Sequence, residues 1–306
     1  MFERFFTPYH AGTAVVGERI AILAPHPDDE IFGCGASASK WQAQGKQVKS
    51  FVLTAGVVRN EFSDQSDAEQ KRLAKALLRA NESKAAAKVL GLPEPEFLNA
   101  QDGELWDNVM IASELAERLQ AWQPTTIVAP SIWEMHRDHR ATAEIAIRLA
   151  QTLPSVKRLC FYEIGVPLIA NVIEDVTAFK SLKWQAMQCF LSQLASQHYA
   201  EQINGLNIYR TYTLGLDTQY AEAFYSVDVA ELEPLLQEYA PTQTTLALKN
   251  AEQYTYLLQQ RLVEQQEQVQ QLETALQQMY SSRSWRITSP MRKLSSWLKR
   301  LSVQKK

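Results

Sequence analysis

Three of the five histidines lie in two short aspartate-rich segments. In the first, HPDDE, His26 precedes Asp29 by three residues; in the second, HRDH, His136 precedes His139 by three. Neutral imidazole and carboxylate groups bind zinc and related divalent metals, and a catalytic site keeps one position open for water. Two histidines and one carboxylate are enough for such a site. These four side chains therefore compete for three positions, which leaves one for catalysis.

The predicted elements place both segments at the same edge of a sheet. An apolar run at 20–24 precedes the first segment, and a β-branched run at 125–129 precedes the second. Open α/β sheets bind ligands beyond the carboxyl ends of their strands. An HxxH pair alone is a weak signal, but two such segments after two strands favour one shared crevice.

Strand-like runs alternate with helical patterns, which predicts an α/β fold with a mostly parallel sheet and flanking helices. Strands are expected at 20–24, 48–54, 125–129 and 156–162, and helices at 31–44, 66–90, 112–122 and 140–151. In the helix at 66–90, an apolar face is expected to pack on the core; it comprises Leu73, Leu77, Ala80, Ala87 and Leu90.

The 306 residues divide by composition into a domain at 1–238, a coiled coil at 242–280 and a basic tail at 281–306. The net charge is −3, but the tail alone carries +8, which leaves −11 for residues 1–280. The tail is therefore electrostatically distinct from the rest of the chain.

A heptad pattern of alternating three- and four-residue spacings runs through 248–279 and predicts a long C-terminal helix that self-associates as a coiled coil. Two of its positions are polar. The alternative is a single helix that packs back on the domain. The seam comprises Leu248, Ala251, Thr255, Leu258, Leu262, Gln265, Val269, Leu272, Leu276 and Met279.

The pattern of residues 281–306 predicts a basic amphipathic helix that contains tryptophan. Such a helix is suited to binding an anionic membrane surface. A solubilising tail and a helix that packs on a partner protein are the alternatives. Nucleic acid is disfavoured as a partner because the main body is acidic.

The cysteines and the N-terminal residues bear on the cellular compartment. Three widely spaced cysteines indicate a reducing compartment. The N-terminal segment contains Glu3 and lacks a long apolar run, which disfavours a secretory signal. We expect a cytoplasmic protein, peripheral at the inner face of the membrane.

The two segments, read as HPDDE and HRDHRA, resemble the PIG-L/LmbE family of metal-dependent N-acetylglucosaminyl deacetylases. The resemblance covers about residues 18–228 and includes further stretches between and after the motifs: 79–82, 89–91, 97–98, 102–103, 162–163, 192–193 and 220–224. It implies a Rossmann-like fold and a zinc ion, with Fe²⁺ as an alternative. By the same resemblance His26, Asp29 and His139 hold the metal.

The resemblance also implies the catalytic roles. Asp28 is the general base that takes a proton from the attacking water, and His136 polarises the carbonyl and protonates the leaving amine. Asp138 holds His136 or His139 in its tautomer, or else caps a helix.

The family also implies two residues that contact the substrate. Arg79 and Asp102 resemble positions that bind sugar hydroxyls, although Arg79 is also placed to pair with Glu82. The sequence departs from the family after the second strand, where TAGVV replaces an acidic element.

The stretch SWRITSP at 284–290 resembles a short segment of bacterial surface-polysaccharide enzymes.

The two motifs, the family resemblance and the basic tail together predict a zinc-dependent hydrolase. It would remove the N-acetyl group from an amino sugar in cell-surface glycan or glycolipid biosynthesis. Two alternatives are a deacetylase of a soluble amino-sugar glycoside and a non-catalytic scaffold that binds glycans and recruits polysaccharide enzymes.

Overall fold

The structure is a computed structural model that describes residues 11–13, 17–106, 108–238 and 240–281. The basic tail from residue 282 lies outside the described residues, so the predictions made for it stay predictions. By their contacts the residues divide into two units, 1–238 and 239–306, and each is described by itself.

The first unit alternates strands and helices over most of its length. Its strands are β1 (Arg19–Ala24), β2 (Gln47–Val58), β3 (Glu96–Asp102), β4 (Thr126–Pro130), β5 (Arg158–Tyr162), β6 (Val172–Asp175) and β7 (Ala221–Asp228). Its helices are α1 (Asp29–Ala43), α2 (Ala68–Val89), α3 (Val109–Trp122), α4 (Arg137–Thr152), α5 (Lys180–Met187), α6 (Leu191–Leu194), α7 (Tyr199–Tyr209) and α8 (Val229–Glu238), with a 3₁₀ turn at Thr177–Phe179.

The strands form one sheet in the order β3-β2-β1-β4-β5-β7-β6. The five strands from β3 to β5 are parallel, whereas β7 runs antiparallel to both β5 and β6. This confirms the predicted mostly parallel α/β sheet. The antiparallel edge was not predicted, since no strand was expected at the four residues of β6 or the eight residues of β7.

The strand order explains why the two motif segments meet. β1 lies between β2 and β4, with Ile20 opposite Thr126 and Ile22 opposite Val128. The connections from β1 and β4 therefore leave the same edge of the sheet side by side at the point where the strand order reverses. Such a switch point is where open α/β folds bind ligands.

Apolar side chains cover both faces of the sheet. On one face the core includes Leu115, Leu119 and Leu149 from α3 and α4. A second cluster joins Trp41 and Cys34 of α1 to the sheet.

The prediction that an apolar face of α2 packs on the core is wrong for the first half of the helix. Leu73 and Leu77 are 62% and 63% exposed. The buried face of α2 instead carries Arg79, Glu82 and Ser83 as well as two alanines. The polar residues are buried because the helix packs beside the candidate active site, where their hydrogen bonds replace water.

The second unit contains the 42-residue helix α9 (Ala240–Ser281). Its apolar seam positions with described side chains are exposed: Leu258, Leu262, Val269, Leu272, Leu276 and Met279. Self-association through this seam stays a prediction. None of the helices in the described part of the chain combines the length and hydropathy that a bilayer crossing requires.

Candidate active site

The β1–α1 and β4–α4 connections place the predicted metal ligands around one carboxylate oxygen. Oδ2 of Asp29 lies 3.0 Å from Nδ1 of His26 and 3.3 Å from Nε2 of His139. Zinc bonds of about 2.0–2.1 Å would set two donors of one tetrahedral ion about 3.3 Å apart. These pairs therefore fit a divalent transition metal in both donor type and spacing.

His136 completes the cluster. Single nitrogens of His26, His136 and His139 lie within 4.8 Å of one another, and so do ligand atoms of a second set, His26, Asp102, His136 and Asp138. His136 is the most open of these side chains, at 46% exposed. The structure thus brings the four competing side chains of the two motifs together.

The position of His136 in the helix determines its tautomer. His136 is the N-cap residue of α4, and its Nδ1 accepts a hydrogen bond from the Asp138 backbone N–H at 3.2 Å. A neutral imidazole that accepts at Nδ1 carries its proton on Nε2. His136 is therefore set to donate from Nε2, the nitrogen that lies 3.8 Å from Asp102 Oδ1.

Asp138 has different partners from those predicted. Its carboxylate accepts hydrogen bonds from the backbone N–H groups of Gly103 at 2.6 Å and Leu105 at 3.3 Å, and it lies 3.6 Å from Nε2 of His26. The histidine that its carboxylate approaches is His26 rather than the predicted His136 or His139, and the N-cap of α4 is His136 rather than Asp138. Asp138 instead fixes the turn after β3, which a sequence-local interpretation does not reveal.

Arg79 also has a different partner from the one its sequence neighbours suggest. Its guanidinium donates to Asp28 Oδ2 at 2.9 Å and to the Gly56 carbonyl at 2.6 Å. Glu82 accepts hydrogen bonds from Ser192 instead, so the suggested Arg79–Glu82 pair is wrong. At Gly56 a Cβ would lie 2.1 Å from Arg79, and the φ of +64° also favours glycine.

Asp102 contacts a histidine of the site. Its Oδ1 lies 3.2 Å from Nε2 of His26, on the side of the ring opposite Asp29. Carboxylates commonly orient a metal-binding imidazole in this way. Asp102 and Arg79 also line the cavity, but both have partners within the protein.

Two glutamates that received no catalytic role support the site. Glu134 accepts from the backbone N–H groups of Ile164 at 2.8 Å and Gly165 at 3.0 Å, and its Oε2 lies 3.5 Å from Nδ1 of His139. Glu30 accepts from Ser83 and from the Asp28 backbone N–H, and so supports the start of α1. The one sequence signal for Glu134 is its position two residues before His136 of the second motif.

Negative charge dominates the site. Five carboxylates, those of Asp28, Asp29, Asp102, Glu134 and Asp138, surround the three histidines, and Arg79 pairs with one of them. A divalent cation would balance this excess. The donor types and the charge therefore both fit a resident metal.

The carboxylates shift the histidine pKa values. Burial alone would lower the pKa of His26, but hydrogen bonds to Asp102, Asp138 and Asp29 raise it well above the usual value. Burial likewise opposes protonation of His139, yet Asp29 raises its pKa to about 9. Burial and the neighbouring histidines lower the pKa of His136, which keeps this more open imidazole neutral.

The two adjacent aspartates differ in basicity. Burial raises the pKa of Asp28, although Arg79 opposes the shift. The pKa of Asp29 lies well below its usual value because His139 and His26 outweigh burial. Asp29 is thus the permanent anion and Asp28 the stronger base, a separation typical of neighbouring carboxylates with different roles.

The cluster opens into a cavity of about 770 Å³. The cavity is also lined by apolar side chains and by three glutamines, which comprise Phe32, Ile164, Tyr199, Ile203, Leu206, Gln193, Gln197 and Gln202. A mixture of apolar surface and a few polar groups is usual for small-molecule sites. Sequence patterns did not identify Tyr199 or the last two glutamines as lining residues.

Comparison with known proteins agrees with this geometry. Residues 21–150 match the family model described as "PIG-L: GlcNAc-PI de-N-acetylase". We refer to this matched stretch as the PIG-L region. It contains both motif segments, most of β1, all of β2 to β4 and nearly all of α4.

Relatives of the PIG-L region are named as deacetylases. The diacetylchitobiose deacetylase of Thermococcus kodakarensis is 28% identical over 133 residues, which are 42% of this chain and 48% of that protein. The chain thus matches about half the length of this relative.

Solved structures share the fold beyond the PIG-L region. The conserved protein TT1542 from Thermus thermophilus is 26% identical, with a TM-score of 0.57 over 68% of this chain and 94% of that chain. The N,N'-diacetylchitobiose deacetylase of Pyrococcus horikoshii is 23% identical, with a TM-score of 0.59 over 70% and 85%. At that identity, the second similarity shows the fold alone.

Proposed function

We propose that this cavity is the active site of a metal-dependent hydrolase that removes the N-acetyl group from an amino sugar. The observation that carries the proposal is the meeting of both motif segments around Oδ2 of Asp29, with Asp28 beside it as the stronger base. The PIG-L region and the deacetylase names of its relatives support the same chemistry.

We assign His26, Asp29 and His139 as the metal ligands, with Zn²⁺ as the expected ion and Fe²⁺ as the alternative. When bound, the cation supplies Lewis acidity toward the amide carbonyl and activates water. Asp102 then accepts from the far nitrogen of His26, with Asp138 3.6 Å from the same nitrogen, and Glu134 lies 3.5 Å from the far nitrogen of His139. These contacts select the tautomers that leave the inner nitrogens free to coordinate.

The remaining side chains perform the proton transfers. Asp28 takes the proton of the attacking water, since its pKa is raised and it is adjacent to the ligand Asp29. Nε2–H of His136 donates to the carbonyl oxygen as negative charge develops there. The C–N bond then breaks, and the leaving amine takes a proton from this acid–base pair.

The cavity also suits the rest of the substrate. Phe32 and Tyr199 offer aromatic faces, and the glutamine amides supply donors and acceptors for hydroxyl groups. We propose that Arg79 and Asp102, which also line the cavity, contact the sugar as well as their partners in the protein.

Amine release from a panel of N-acetylhexosamine compounds tests the proposed activity. The panel contains free, nucleotide-linked and lipid-linked sugars, and the protein is used with its zinc content measured. Zinc-dependent release from at least one compound is expected. No release from any compound with zinc bound would contradict the proposal and favour the scaffold alternative.

We place the reaction in cell-surface glycan or glycolipid biosynthesis at the inner face of the membrane. The support is in the sequence: residues 281–306 carry eight basic and no acidic residues and include SWRITSP. In the panel, preference for lipid-linked compounds would support this setting. Preference for the free sugars would favour the soluble-glycoside alternative.

Glu134→Gln should weaken zinc binding about 10-fold. Glutamine keeps an acceptor for the backbone of residues 164–165 but removes the charge near Nδ1 of His139. Chelator competition measures the affinity, with Glu144→Gln on the solvent side of α4 as the matched control. Equal affinities in the two variants would contradict the support role of Glu134.

We also propose that α9 self-associates through its exposed seam, because a long helix with an apolar stripe is stabilised by burying that stripe. Leu262→Asp with Leu272→Asp in the full chain should reduce the mass measured by light scattering to the 34.7 kDa of one chain. Gln270→Asp, off the seam, is the control. An unchanged mass would contradict self-association through the seam.

A further inference from the structure

Helix α1 is broken one turn after the aspartates of the first motif. Cys34 has φ −143° and ψ 22°, although the residues on both sides are helical. Gly33 lies directly against the ring of Tyr162, where a Cβ would come within 2.2 Å of a ring carbon. The part of α1 before Cys34 is thus not continued by regular helix. Its direction must therefore be fixed by contacts with residues outside the helix.

A buried ion pair lies at the break. In a regular helix the N–H of Ala36 donates to the carbonyl of Phe32. Here that N–H donates to Oε1 of Glu222 at 3.1 Å, and the Phe32 carbonyl accepts from Nζ of Lys183 at 2.8 Å. Lys183 and Glu222 are themselves 2.6 Å apart. The ion pair therefore bridges the two backbone groups across the break.

The hydrogen bonds of the pair are complete. Glu222 also accepts from the Ser37 N–H at 2.7 Å, and Nζ of Lys183 also donates to Oδ1 of Asn207 at 2.9 Å. All three protons of the ammonium group thus have an acceptor. Both charged side chains are fully buried.

Stability alone does not account for such a pair. Apolar residues of similar volume are often as stabilising as a buried ion pair, because desolvation offsets the attraction between the charges. What the pair supplies here is geometry. It fixes the backbone on both sides of the break at a point where helical hydrogen bonding is irregular.

The contacts of the pair reach the cavity from two sides. Phe32, whose carbonyl accepts from Lys183, lines the cavity four residues after Asp28. Asn207 belongs to α7, and Tyr199, Ile203 and Leu206 of that helix line the same cavity. Lys183 therefore connects the helix turn that carries the aspartates to another wall of the cavity.

We propose that Lys183 and Glu222 are positioning residues for the active site: by bridging the break in α1 they set the direction of the turn that carries Asp28 and Asp29. The role in turnover rests on the proposed function, whereas the role in metal binding does not depend on the substrate. Neither residue lines the cavity itself.

The test is the double variant Lys183→Met with Glu222→Gln, which removes both charges and leaves no unpaired ion buried. The glutamine at position 222 keeps an oxygen that can accept from the backbone N–H groups of α1. The Phe32 carbonyl loses its donor, because the ammonium group of Lys183 is gone. We expect zinc affinity, measured by chelator competition, to fall about 10-fold. We also expect kcat to fall by a larger factor than KM rises, since the aspartates are displaced rather than the sugar contacts. The matched control removes another ion pair of β7, through Arg158→Met with Asp228→Asn.

Lys183→Arg is the second variant, in case the double variant does not fold. It keeps the charge, but a planar guanidinium cannot place its donors where an ammonium does. The same losses are expected in this variant. Wild-type zinc affinity and kcat in a folded variant, with at most a lower melting temperature, would overturn the proposal and leave the pair a purely structural role. If wild type binds zinc but hydrolyses no N-acetyl compound, the proposed function fails while the zinc affinities still decide the positioning role.

Discussion

Asp28→Asn is expected to reduce turnover about 1,000-fold while the zinc content stays at the wild-type level. Asparagine has nearly the same shape but cannot accept a proton from water at neutral pH. Asp28 makes its ion pair with Arg79 rather than with a histidine, so its loss leaves the contacts of His26 and His139 with Asp29 in place.

Steady-state kinetics and elemental analysis on the same preparation measure the two quantities. Asp217→Asn, at an exposed turn before β7, is the control for removal of one aspartate charge. Loss of zinc together with activity would make Asp28 a ligand. Retained activity would remove it from the proposed mechanism.

His139→Ala is expected to weaken zinc binding by more than about 100-fold, beyond the effect typical of residues that only support ligands. The substitution removes one nitrogen from the proposed set and leaves Asp29 with His26 alone. Competition with a chelator of known affinity measures the change. His198→Ala is the control, because that histidine is exposed and its side chain does not cap α7.

His136→Ala makes the assignment of the histidines sharper, since the nitrogens of His26, His136 and His139 lie close together. The alanine variant at 136 should keep its zinc and lose turnover. The opposite pattern, with zinc lost at 136 and kept at 139, would exchange the two roles.

The sequence predicts the central fold well because its signals there are local. Apolar runs located β1, β2, β4 and β5 within a few residues. The convergence of the motif segments followed from the general rule for parallel sheets. β3, β6 and β7, which lie at the two ends of the sheet, were missed.

The contacts inside the site were less predictable because they join residues far apart in the chain. Asp138 binds the backbone after β3, Arg79 pairs with Asp28, and Lys183 pairs with Glu222. Spacing suggested partners three or four residues away, such as Glu82 for Arg79. Tertiary contacts replaced these local pairs, since a buried charge requires a partner wherever the fold provides one.

The exposed leucines of α2 have a consequence for mutational tolerance. In an ordinary amphipathic helix the apolar positions reject polar substitutions, whereas the polar positions accept almost any residue. In α2 the order is reversed: Leu73, Leu77 and Leu78 should accept lysine or glutamate with a gain in solubility, because they are at least half exposed. Arg79 and Glu82 should reject leucine. A saturation library of this helix would therefore show its constrained stripe along the polar side, and engineering guided by hydropathy alone would alter the wrong face.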